Sequence, residues 1–82
     1  MTTDEKLDKI ATELSEARIT HRLAEREVTR AHEAIRKLEQ EDNDAIARAR
    51  AYKRLRTAEI DAKRKRIELN AAEEAFVNRG EG

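Results

Sequence analysis

The chain has 82 residues, no formal net charge, 44% charged and 38% hydrophobic residues, and neither Pro nor Cys. That length allows one small domain at most. The absence of cysteine excludes disulfides and thiolate metal sites, and with Tyr52 and Phe76 as the two aromatic residues a globular core of ordinary breadth is excluded too.

The only glycines, Gly80 and Gly82, sit at the C-terminal end, so no strong helix breaker precedes Gly80. Ala, Glu, Arg, Lys and Leu dominate, the composition of a long helix or coiled coil. The N-terminus is too acidic for a signal peptide, and no long apolar run is present. These features lead to the expectation of a soluble protein, cytoplasmic or packaged from the cytoplasm into a larger assembly.

The first element opens on Thr2-Thr3-Asp4-Glu5, where Glu5 follows Thr2 by three residues in a capping-box pattern. Its acidic first turn suits the helix dipole. One apolar stripe then runs through Leu7, Ile10, Leu14, Ala17, His21, Ala24, Val28, Ala31, Ile35 and Leu38. The steps alternate three and four, which marks a coiled-coil seam. The stripe stops at Gln40-Glu41-Asp42-Asn43-Asp44. There Asn43 tolerates the left-handed conformation that ends helices, and Asp44 can cap the next one. A second stripe follows through Ala51, Leu55, Ala58, Ala62, Lys65, Leu69, Ala72 and Phe76, with Arg79-Gly80 as its stop.

The two stripes match each other when the chain folds back at Asn43. Ile35 then opposes Ala51, Ala31 opposes Leu55, Val28 opposes Ala58 and Ala24 opposes Ala62. Beyond the polar pair His21 and Lys65, Ala17 opposes Leu69, Leu14 opposes Ala72 and Ile10 opposes Phe76. Large side chains mostly face alanine, which permits close, interdigitated packing. A single continuous helix in a parallel dimer is the rival. Extending the first heptad past Asn43 would put Asp42, Arg56, Lys63 and Asn70 into its seam. The sequence therefore predicts an all-α fold, a two-helix antiparallel coiled-coil hairpin occupying residues 1–82. Helix 1 covers about 3–41, the turn 42–44 and helix 2 about 45–79.

Such a hairpin has few large seam side chains, so further burial is expected. Ile19 and Leu23 on the outer face of helix 1, and Ile46, Ile60 and Ile67 on that of helix 2, are the candidates. They define an expected partner-binding surface, for another protein or for a second hairpin in a four-helix bundle.

Charge is distributed in bands. Residues 48–66 carry Arg48, Arg50, Lys53, Arg54, Arg56, Lys63, Arg64, Lys65 and Arg66 against Glu59 and Asp61. The opposed residues 20–38 add a smaller excess of base, while the turn and the open end are acidic. Arg50, Lys53, Arg54, Arg56, Lys63, Arg64 and Arg66 are the expected contacts to phosphate or to an acidic partner. The basic residues surround helix 2 and aromatic stacking is nearly absent, which argues against single-strand recognition.

Nothing points to catalysis. Ser15 is the only serine and has no His on its turn, and no glycine loop for phosphate exists. His21 and His32 lack the Glu-x-x-His or His-Glu-x-x-His spacing of helical metal sites. No catalytic, cofactor or metal site and no small-molecule substrate or membrane partner is expected. The expected function is a non-enzymatic interaction or assembly module: an adaptor, scaffold, inhibitor or component of a larger complex such as a virus particle. The alternative is a regulator that binds nucleic-acid phosphates through residues 48–66.

Overall fold

A computed structural model describes residues 3–41 and 45–78. Among these residues the chain forms two α-helices, α1 (Thr3–Gln40) and α2 (Ala45–Val77), packed along their length. The Cα envelope measures 61 × 17 × 13 Å. At 1.5 Å per residue a continuous helix of this chain would extend about 120 Å, whereas the 38 residues of α1 account for about 57 Å. The molecule is therefore as long as one helix and two helices wide: an antiparallel hairpin. Its radius of gyration, 18.4 Å, far exceeds the roughly 12 Å of a compact domain of this length, as befits a rod.

α1 begins with Asp4 and Glu5 in its first turn and has Lys37 in its last, both favourable to the helix dipole. The Glu41 amide donates to the Lys37 carbonyl at 3.3 Å and extends the helical bonding by one residue. The expected capping residues Thr2 and Asp44, the turn 42–44 and the stop Arg79-Gly80 lie outside the described residues.

Burial follows the two stripes. All ten seam residues of α1 and all eight of α2 are buried or half-buried. Leu14, Ala24, Ala31 and Ile35 are the buried ones, with Ala31 only 1% exposed. α2 buries none completely. The difference has a physical source. Half of the α2 seam positions are alanine, and the larger apolar residues of α2 are divided between the seam and the exposed positions Ile46, Ile60 and Ile67. Ala34 and Ala47 are also half-buried, which widens the contact near the turn.

The register agrees with the folded stripes. One groove beside the seam brings Val28 and Thr29 of α1 next to Glu59 and Ala62 of α2. Further toward the open end, Ala17 and Thr20 border Glu68 and Ala72.

Close approach at alanine makes a direct test. Ala24→Leu and Ala31→Leu overpack the seam and should each cost about 1–3 kcal/mol. For a chain of this size that lowers Tm by roughly 4–8 °C per kcal/mol in thermal circular dichroism. Ala11→Leu, on an exposed position of α1, should leave Tm nearly unchanged.

Candidate interaction surface

The residues expected to bind a partner are all on the surface. Ile19, Leu23, Ile46, Ile60 and Ile67 are between 52% and 66% exposed. They are not contiguous. Ile19 and Leu23 are one turn apart on the edge of α1 that faces away from α2. Ile60 and Ile67 are two turns apart on the edge of α2 that faces away from α1. Ile46 sits near the start of α2, apart from both pairs. Val77, 71% exposed, is a further apolar residue that the stripes did not single out, because it belongs to neither periodic set.

The seven expected basic contacts are likewise exposed, and α2 distributes them around its circumference. Arg50, Lys53, Arg54 and Arg64 line a groove with Glu27, Thr57 and Asp61 on one side of the hairpin. Arg56 and Lys63 line a groove with Glu25, Thr29 and Glu59 on the other. Arg66 falls on this second side by helical spacing. Glu27 binds two cations of the first side, Arg30 Nη1 at 3.0 Å and Arg54 Nη2 at 3.6 Å. The second of these bridges crosses between the helices. All three groups are well exposed, so the bridges contribute little stability; they neutralise charge locally. The hydroxyls of Thr20, Thr29 and Thr57 donate to carbonyls of their own helix at 3.0–3.2 Å, which leaves charge as the main polar feature flanking the seam.

Two polar contacts mark the seam itself. Half-buried His21 and Lys65 each find a carboxylate on their own helix. His21 Nε2 lies 3.1 Å from Glu25 Oε1, and Lys65 Nζ lies 3.7 Å from Glu68 Oε2. The layer is thus satisfied along each helix without a bond across the seam. Nearer the turn, the Tyr52 hydroxyl donates to Glu39 Oε1 at 2.8 Å and ties α2 to α1. This hydrogen bond and the charge of Glu39 push the Tyr52 phenol above its ordinary value of 10.0. The sequence offered no periodic signal for this tie, which depends on the reach of a Tyr side chain across the edge of the seam.

Among the described residues, no group of three or more His, Asp or Glu side chains could hold a metal ion. No helix there is long and apolar enough to cross a membrane.

Two outcomes follow. Replacing the polar layer by His21→Leu with Lys65→Leu should raise Tm by several degrees, because leucines at seam positions bury apolar surface that His and Lys do not. In a spectrophotometric titration, for which Tyr52 is the one tyrosine and no tryptophan interferes, Glu39→Gln should lower the Tyr52 pKa. Because the folded value is raised, the contribution of this tie to stability is present below pH 10 and is lost as pH rises through the folded pKa.

No protein-family model matches this chain, and no curated protein or solved structure matches it.

Proposed function

We propose that this protein is a non-enzymatic interaction or assembly module that docks other protein chains through the outer edges of the hairpin. The observation that supports it is the mismatch between a thin seam and a large apolar remainder. The hairpin has 6743 Å² of accessible surface, against about 5,000 Å² for a compact monomer of 9.5 kDa. Four of the described residues are buried, and the isoleucine and leucine pairs on both edges stay in water. Covering those edges supplies burial that one hairpin lacks.

The pairs Ile19 and Leu23, and Ile60 and Ile67, lie on opposite edges at similar heights along the rod. One hairpin can therefore contact two neighbours at once. That arrangement suits a scaffold or a component of a larger assembly, and a bundle of two hairpins is its smallest form. The acidic ends and basic middle of the rod add charge complementarity between staggered neighbours. The reading sets the protein in the cytoplasm or in an assembly packaged from it.

Mass in solution, by light scattering on a sizing column at low and high salt, tests this reading. A species larger than the monomer that survives high salt is expected if the edges dock copies of the chain. Ile60→Glu with Ile67→Glu should then yield monomers of nearly unchanged helicity. If the double variant associates as the parent does, the outer edge of α2 is not the interface.

A further inference from the structure

Charge on the hairpin is sided as well as banded, and the sidedness follows from the antiparallel fold. In an antiparallel pair, the stripe one residue after the seam falls on the same side of the ribbon in both helices. The stripe one residue before it falls on the other side. The grooves show this arrangement: Glu25, Thr29, Arg56, Glu59 and Lys63 share one side, and Glu27, Arg50, Arg54, Asp61 and Arg64 share the other.

The side after the seam carries Arg18, Arg22 and Arg36 from α1 and Arg56, Lys63 and Arg66 from α2. Its acids over the same stretch are Glu25 and Glu59, which leaves an excess of four positive charges. Over the same stretch the side before the seam carries Arg30, Arg50, Arg54 and Arg64 against Glu27, Asp61 and Glu68, an excess of one, or of two with Lys53, which borders the same groove. The pairing differs as well. Both arginine bridges, those of Arg30 and Arg54 to Glu27, are on the side before the seam. Among the described residues, none of the six cations on the basic side makes an ion pair. All six are exposed, and Glu25 is engaged by His21.

We infer that this side of the ribbon is a binding face for the phosphate backbone of double-stranded nucleic acid. The six cations form two rails, one per helix, on a rigid rod. From Arg18 to Arg36 the rail runs about 27 Å at 1.5 Å per residue, and packed helices hold the rails about 8–10 Å apart. A duplex presents a matching object: a stiff polyanion with one charge per roughly 1.7 Å of its axis. Five of the six cations are arginines, whose planar fork suits phosphate oxygens. The face has one aromatic residue, Tyr52, whose hydroxyl is held by Glu39, so it offers no stacking platform for single strands. Acidic residues terminate it, Asp8 and Glu73 toward the open end and Glu39 toward the turn. The footprint is therefore short, about eight base pairs, and independent of base sequence. Of the apolar residues proposed for protein docking, Ile60 borders the groove on this side as well as the opposite one, whereas Ile19, Leu23, Ile46 and Ile67 line neither.

The test uses the full chain and a fluorescent duplex of about twice the footprint, followed by anisotropy as salt is raised from about 50 to about 200 mM. Expected is binding that weakens with a log–log slope between about −3 and −5 and is the same for unrelated duplex sequences. Arg22→Gln, Lys63→Gln and Arg66→Gln together should weaken it at least about tenfold more than Arg50→Gln, Lys53→Gln and Arg64→Gln. Each triple variant removes three positive charges, and circular dichroism verifies that both remain helical. Equal losses would overturn the assignment of a face. Absence of duplex binding at the lower salt, or competition by polyglutamate as effective as that by unlabelled duplex, would overturn the assignment of phosphate.

Discussion

The structure depends on alanine opposite large aliphatic side chains along a single seam. Ala24 and Ala31 of α1, and Ala51, Ala58, Ala62 and Ala72 of α2, allow the two backbones to come near enough for leucine and isoleucine to bridge the gap. With only two helices, no third element can enclose these contacts, so close approach has to replace enclosure. Everything else about the molecule follows from that economy: the narrow cross-section, the absence of a buried residue on α2, and the long charged surface.

That surface is also where the two helices differ. α1 is clearly amphipathic and gathers its apolar residues on the seam. α2 places Ile46, Ile60 and Ile67 outside it and surrounds itself with arginine and lysine, so it has almost no amphipathic direction of its own. A helix of this kind is held by its neighbour on one side and presents apolar groups on the other. The proposed docking role rests on that surplus, and the proposed phosphate contact rests on the stripe between seam and edge.

Much of the fold was legible in the sequence because a coiled-coil seam is a one-dimensional code. Spacings of three and four located the buried residues of α1 and the half-buried seam of α2, and the phase break near Asn43 distinguished a hairpin from one long rod. The polar layer at His21 and Lys65 was legible for the same reason. What escaped was set by side-chain reach and by the sidedness of the fold. The Tyr52–Glu39 tie joins residues without periodic signature. Val77 belongs to no stripe. The basic residues of α2, counted along the chain, looked evenly distributed about that helix. Only when Arg18, Arg22 and Arg36 are carried across from α1 does the middle of one side become more basic than that of the other.

The Tyr52–Glu39 bond has a kinetic consequence. It closes a loop of 13 residues, whereas Ile10 reaches Phe76 only after nearly the whole chain has been drawn together. Loop-closure entropy grows with length, so contacts beside the turn form first and the pairing spreads outward from them. The hairpin is in this sense a zipper with its stop at the tyrosine. Its far end, where Leu7, Ile10 and Phe76 are only half-buried, opens at the least expense. A protease, or a partner helix competing for the seam, would gain entry there before anywhere else.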